Sequence, residues 1–345
     1  MAHIFLNKPE FAEPIRVLFL CGSEYSSIDK FDKRTILKKH LEQNKKNRVI
    51  LLEKYFDFPF SSVKSGLLSY YKQGLFNLYN IELLAALVAT NIIVIHESLS
   101  TAGEIGVFAS NSSLRDRIIT LVPQRYSVEE EKLSNFLKLA FWNDSQVLIN
   151  NQIIRFYPRT ERIMVSKTNS YYQTYFQDNK LPESIEHKLN NHIKDSVVSV
   201  FAFGDDNFTV LGSNVTVYLD MVSVKNYILA ILSLCSVRTQ LRKCTLLYDV
   251  NNTIKKFFRD SMKETYYNKT GERCQDLKIV IKERPDLDFE TVIKFMVYCL
   301  HACNIMKITK NEDGTITVSF AKRTSKIWKK YSELIQYVDF SEWGD

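Results

Sequence analysis

Short apolar, β-branched runs alternate with amphipathic stretches through the first 150 residues. The runs at Arg16 to Cys21 (RVLFLC), Arg48 to Leu52 (RVILL), Ile92 to His96 (IIVIH), Arg117 to Val122 (RIITLV) and Gln146 to Ile149 (QVLI) are almost continuously apolar. Strands read this way when helices cover both faces of a parallel sheet. Helical periodicity falls near Asp32 to Gln43, Leu75 to Thr90, Thr101 to Ser110 and Val128 to Phe141. The alternation predicts a doubly wound α/β domain over residues 1–155. From Phe56 to Gly74, Pro59, Gly66 and Gly74 interrupt any period, which predicts a long loop beside the sheet.

Residues 156–345 predict a second domain. Tyr157-Pro158 reads as the start of a linker, Ser184 to Asp195 as a helix and Val197 to Phe203 as a strand, but the stretch 156–215 carries no pattern that assigns it a fold. Helices follow at Met221 to Leu234, Asn251 to Lys263 and Phe289 to Cys303. Met306 to Thr309 and Thr315 to Phe320 then flank the turn Asn311-Glu312-Asp313-Gly314. A helix followed by a β-hairpin is the end of a winged helix, so this half is expected to be mainly helical with a winged helix-turn-helix.

Hydrophobic residues are 45% of the chain, too many for disorder. Lys8, Glu10, Glu13 and Arg16 interrupt the first residues where a signal peptide would be apolar, and Leu83 to Ile95 is too short to span a bilayer. Of six cysteines, five lie beyond residue 230, which is no disulfide framework. A reducing, cytoplasmic setting without membrane contact is expected. The net charge of +7 permits an anionic partner without demanding one. There is no G-x-G-x-x-G and no G-x-x-x-x-G-K-[ST], so neither the usual dinucleotide fingerprint nor a P-loop is present.

The candidate chemistry lies at two strand ends. Cys21-Gly22-Ser23 follows the first strand and His96-Glu97-Ser98-Leu99-Ser100-Thr101 follows the third. In the flavodoxin-like order 2-1-3-4-5 those strands are neighbours, and their carboxyl ends open on the crevice where ligands bind. Gly22 lets backbone approach a ribose or phosphate, and Ser23, Ser98 and Ser100 offer hydroxyls. Glu104 is expected in the first turn of the next helix, where the dipole and free amides favour the ionised carboxylate that a nucleophile requires. Thr101-x-x-Glu104 is equally a capping box, with the glutamate reaching back to the Thr101 amide.

The segments VLFLCG (Val17 to Gly22), Asn80-Ile81-Glu82-Leu83-Leu84 to Ile95, and ESLSTAGEIGVFASN (Glu97 to Asn111) resemble the nucleoside deoxyribosyltransferase superfamily. More narrowly they resemble effectors of bacterial retron anti-phage systems, which join such a domain to a C-terminal winged helix. The resemblance implies a nucleoside deoxyribosyltransferase-like fold, with Glu104 as the residue that attacks the anomeric carbon of a nucleoside or nucleotide. The nicotinamide of NAD is already cationic before departure and leaves as a neutral base without a general acid, so a site with one clear carboxylate suits NAD as substrate, with no cofactor. The resemblance also implies a toxic effector restrained by a retron reverse transcriptase and its multicopy single-stranded DNA (msDNA) or non-coding RNA. Leu99-Ser100 stand where the superfamily often has an aspartate or proline-glycine, which leaves the substrate base open.

Each remaining candidate has two readings. Glu82 could orient ribose hydroxyls or be a polar residue on an exposed helical face; Asp57 could reach the crevice or be a turn residue among Tyr55, Phe56, Phe58 and Phe60; Asn111 could bond sugar or cap the C-terminus of its helix. His96 reads as a buried, satisfied histidine and Cys21 as a small packed residue. Cys299-x-His301-x-Cys303 cannot close a tetrahedral metal site from one helix, so no metal is expected. Two basic runs could neutralise phosphates, Arg238, Arg242, Lys243 and Lys255 in the first and Lys322, Arg323, Lys326 and Lys330 in the second, with Trp328 and Tyr331 interleaved; solvated helical faces read the same way. A nucleotide-sensing, DNA-binding protein without catalysis is the alternative class. A higher-order oligomer or filament has no sequence feature of its own in favour.

Overall fold

The computed structural model describes residues 3–6, 10–22, 31–52, 78–124, 140–141, 152–164, 169–193, 197–199, 207–321 and 325–338. In chain order these form β1 (His3–Leu6), β2 (Glu10–Ala12), β3 (Arg16–Cys21), α1 (Lys33–Leu41), β4 (Asn47–Ile50), α2 (Leu78–Val88), β5 (Asn91–Ile95), α3 (Leu99–Ala109), the one-turn α4 (Ser112–Arg115), β6 (Ile118–Pro123) and β7 (Ile153–Phe156). They continue as β8 (Pro158–Met164), β9 (Ser170–Phe176), α5 (Glu183–His192), β10 (Val197–Ser199), β11 (Phe208–Leu211), β12 (Asn214–Leu219), α6 (Met221–Ser233), α7 (Cys235–Arg242) and α8 (Leu247–Thr270). The last elements are β13 (Asp276–Ile281), α9 (Phe289–Ala302), β14 (Met306–Lys310), β15 (Ile316–Phe320), α10 (Ser325–Ser332) and β16 (Ile335–Val338).

The fold is mixed α/β and packs as two compact units, one of Arg16–Leu51 with Ala85–Asp195 and one of Met1–Ile15, Leu52–Leu84 and Ser196–Asp345. Neither is a continuous half of the chain, unlike the division expected at residue 155. The N-terminal residues join the C-terminal unit: β1 pairs antiparallel with β16 and β2 with β10. Behind them the buried carboxylate of Glu13 lies 2.5 Å from Lys225 Nζ on α6. Strand pairing of this kind is non-local, and hydrophobic period says nothing of which distant strand is the partner.

In the first unit the five-stranded sheet has the order β4-β3-β5-β6-β7, every neighbouring pair parallel. Four of its strands coincide with the predicted runs. The fifth is Ile153–Phe156; the expected strand at Gln146 to Ile149 lies outside the described residues, as does nearly all of the helix expected from Val128 to Phe141. Every residue of β3 is buried, as the continuous apolar run requires when both faces are covered. On one face Leu18, Leu20, Val49, Ile93 and Ile95 pack with Leu37 and Leu41 of α1 and with Phe176, Ile185 and Leu189. On the other, Phe19 meets Phe108 of α3 edge-on, ring centroids 5.9 Å apart. Tyr157-Pro158 starts no linker: β8 and β9 form an antiparallel hairpin from Pro158↔Phe176 to Met164↔Ser170, whose base is anchored in this core by Phe176. The alternation there is weak because Thr160, Glu161 and Arg162 are exposed in succession, leaving the strand little inward face.

The second unit holds the sheet β11-β12-β13, in which β12 and β13 run parallel. α8 extends well beyond the expected Asn251 to Lys263, from Leu247 to Thr270, with Gly271 as its left-handed cap. α6 is buried along its length, so its apolar surface belongs to the core of this unit. α9 and the β14–β15 hairpin occupy the predicted positions, with the hairpin in register from Met306↔Phe320 to Lys310↔Ile316. Among the described residues no single helix is long and apolar enough to cross a membrane.

Candidate functional site

β3 leads to α1 on one side of the sheet, whereas β5 leads through α3 to β6 on the other, so the winding reverses between two adjacent strands, β3 and β5. In such sheets the carboxyl ends at that reversal diverge into a crevice. Here they are Cys21 and Ile95. Cys21 is buried in register with Val94, as a packed residue. Gly22 has φ +152°, and a Cβ there would stand 3.2 Å from Ile95 Cβ and 3.4 Å from Arg34 Cδ, so any side chain at this position is strained. Ser23 and Asp57 lie outside the described residues.

The start of α3 corrects the expected place of Glu104 in its first turn and its part in the capping box. Ser98 is the N-cap: its Oγ accepts the Thr101 amide at 3.3 Å while Thr101 Oγ1 accepts the Ser98 amide at 3.1 Å, a reciprocal capping box. Thr101 Oγ1 also accepts the Glu97 amide at 3.2 Å and donates to the Ser98 carbonyl at 2.8 Å. The box is therefore Ser98 with Thr101. Glu104, the sixth residue of a helix that begins at Leu99, is in its second turn, where amides bond within the helix instead of remaining free. It is half-buried with Oε2 shut off from water. Its neighbour Gly103 is exposed, with nothing within 4 Å of where a Cβ would be, so open space adjoins it. Ser100, at the second helical position, is exposed.

Three residues that the sequence reading did not single out converge beside this helix start. Lys33 Nζ lies 3.1 Å from Glu97 Oε2, and both side chains are almost fully buried, 2% and 6% exposed. Lys33 also donates to the Thr174 hydroxyl at 2.7 Å and to the Thr174 carbonyl, while that hydroxyl donates to Glu97 Oε1 at 2.5 Å. Burial pulls the Lys33 ammonium below its ordinary range, against the raising effect of Glu97. Burial likewise pushes the Asp32 carboxyl up, although Asp32 caps α1 by accepting the Arg34 and Thr35 amides. No local motif links positions 33, 97 and 174; only the fold brings them together.

His96 is half-buried and held below its ordinary value by burial, with Nδ1 3.4 Å from Thr101 Oγ1. Asn111 is committed as a cap, of the following helix and not of its own: Oδ1 accepts the Ser113 amide at 3.0 Å and the Ser113 hydroxyl at 2.7 Å. Glu82 is half-buried on α2, whose Ile81, Leu83 and Leu84 are buried, within the stretch that clusters with the second unit.

The basic residues of the second unit divide by what they touch. Arg238 donates to the Leu232 carbonyl at 2.6 Å and the Ser233 carbonyl at 2.5 Å, closing the end of α6, and sits 5.4 Å from the centroid of the Trp328 ring. Lys255 pairs with Glu290 at 2.9 Å. Those two side chains are engaged within the unit. Arg242 is exposed with its guanidinium 5.7 Å from the Phe320 ring; Lys243, Lys326 and Lys330 are exposed; Lys322 and Arg323 lie outside the described residues. Cys299 and Cys303 are buried, and His301 Nδ1 accepts the Ile308 amide at 3.2 Å, fastening α9 to the hairpin.

No curated protein matches the chain. A family does match, that of the STM3845 retron effector protein, over residues 30–313, a span that runs from before α1 through β14. This match covers most of the chain, including the crevice strand β5 and all of α3, so the chain belongs to the family of retron effector proteins.

Proposed function

We propose that this retron effector is the toxic arm of its defence system and that its sheet unit is an N-glycosidase acting on a nucleotide, with NAD the favoured substrate and Glu104 the nucleophile. The observation that carries the reading is a half-buried carboxylate on the helix springing from β5, where the winding of the sheet reverses and the backbone at Gly22 comes close to Ile95. On this reading the unit is a flavodoxin-like, nucleoside deoxyribosyltransferase-like domain. Glu104 attacks C1′ of the nicotinamide ribose; the C1′–N bond breaks, its electron pair neutralising the pyridinium as nicotinamide leaves. Water then attacks C1′ of the glycosyl ester, returning the carboxylate and releasing ADP-ribose and a proton.

Family membership implies association with retron components such as the reverse transcriptase. We assign the α9–hairpin unit the role of a winged helix, whose exposed Arg242, Lys243, Lys326 and Lys330 would contact msDNA phosphates. That same unit supports the second reading, a nucleotide sensor that binds DNA without chemistry. Purified protein incubated with NAD and a panel of nucleosides, with and without msDNA and reverse transcriptase, separates the two. Release of free base that is lost in Glu104→Gln is expected, along with growth arrest by the wild-type chain alone; no release in any combination would refute catalysis.

A further inference from the structure

We propose that Lys33, Glu97 and Thr174 form a positioning triad that sets the phase of α3, and hence the place of Glu104, by tying the start of that helix to α1 and to the β8–β9 hairpin. The inference rests on the reading of Glu104 as the reacting carboxylate.

The triad closes on itself. Glu97 has one oxygen on Lys33 and the other on the Thr174 hydroxyl, and Lys33 directs its three N–H donors to Glu97, the Thr174 hydroxyl and the Thr174 carbonyl. A buried ion pair is a poor way to add stability, because desolvation offsets most of its attraction; its better-attested use is to select one arrangement over near alternatives. What it selects here is visible in the backbone. Glu97 directly precedes the N-cap Ser98, and its amide donates to Thr101 Oγ1, the hub of the capping box. The carboxylate of Glu97 is therefore held by α1 and β9 while its main chain holds the first turn of α3. Thr101 is 1% exposed, and Glu104 follows it by three residues, on the same face of the helix. A shift of the Glu97 anchor would turn that face, and displacement of a reacting group by about 1 Å can cost on the order of 100-fold in rate.

Lys33, Glu97 and Thr174 are positioning residues, so the test needs a readout that loss of stability alone would not move. Thr174→Val keeps the shape of the side chain and removes its hydroxyl, Thr174→Ser restores it, and Lys33→Met removes the cation. For Thr174→Val the expected result is a kcat for base release lower by roughly 10- to 100-fold with KM within about twofold, and near-normal kcat in Thr174→Ser. Amide exchange at residues 97–105 should rise in Thr174→Val and Lys33→Met while Val49 and Thr120, in β4 and β6, keep their protection. Unchanged exchange at 97–105, exchange rising equally across the sheet, or failure of serine to rescue would overturn the proposal. If Lys33→Met fails to fold, the threonine pair decides. If wild-type protein releases no base from any substrate, the assignment of Glu104 fails, and the exchange pattern still decides whether the triad holds α3.

Discussion

Two glycines beside the crevice should respond to the same substitution with opposite signs. At Gly22 an alanine must adopt φ near +152°, a conformation that costs an L-residue about 1–3 kcal/mol. Its Cβ would also lie 3.2 Å from Ile95 Cβ, and Ile95 is a buried strand residue whose Cβ moves only if β5 moves. Arg34 Cδ, at 3.4 Å, belongs to a flexible stem and can give way. Overpacking of that kind costs about 1–3 kcal/mol. Relaxing one strain relieves part of the other, so Gly22→Ala should destabilise the sheet unit by about 2–5 kcal/mol, roughly 30-fold to several thousand-fold in its folding equilibrium. Gly103, inside α3 with nothing within 4 Å, has neither problem, and Gly103→Ala should stabilise by about 0.5–1 kcal/mol through helix propensity. The assay is denaturant unfolding followed by amide exchange at β3 and β5, which reports the sheet unit separately from the other. A Gly22→Ala protein as stable as wild type, or a Gly103→Ala protein that is equally destabilised, would refute this account of the crevice floor. Should Gly103→Ala lower base release while raising stability, the open space beside Glu104 is where substrate lies.

Three further outcomes are expected. Lys225→Met leaves Glu13 buried without its cation and should cost about 3–5 kcal/mol, most of it recovered in the double variant with Glu13→Leu; a double variant no more stable than the single, by denaturant melts, would contradict the pairing. His301 is held below the ordinary 6.5 by burial and by Lys307. The unfolded chain thus takes up a proton that the folded one refuses, and stability of the second unit should fall as pH drops through that value and level off beneath the folded one. A slope that persists unchanged in His301→Leu would assign it elsewhere. Replacing Lys326 and Lys330 by glutamine should weaken msDNA binding and lower its log–log salt slope by about two, whereas the same change at Lys255, already paired with Glu290, should leave the slope alone; equal slopes throughout would exclude α10 as a phosphate-binding face.

The alternation of apolar runs and helical periods by itself determined the parallel strands β3 to β6, the helices α1, α2 and α3, and α9 with its hairpin, because each of these rests on neighbours within one turn or one strand; it put Glu104 on α3 but one turn too early. A resemblance carried by Val17 to Gly22, Asn80 to Ile95 and above all residues 97–111 pointed to the retron effectors, and the family match over residues 30–313 agrees. Local signals ran out where partners are distant. Thr101 and Glu104 satisfy the spacing of a capping box, yet Ser98 takes that role because the chain leaves β5 one turn earlier. Arg238 and Lys255 read as free cations until α6 and Glu290 are packed against them. Residues 3–12 read as the beginning of the first domain, but their strands are completed by partners near residues 198 and 336. Lys33, Glu97 and Thr174 are ordinary residues in three unrelated segments. Only tertiary structure makes them a buried ionic triad, because desolvation and hydrogen-bond closure are properties of a place in the fold and leave no period in the chain.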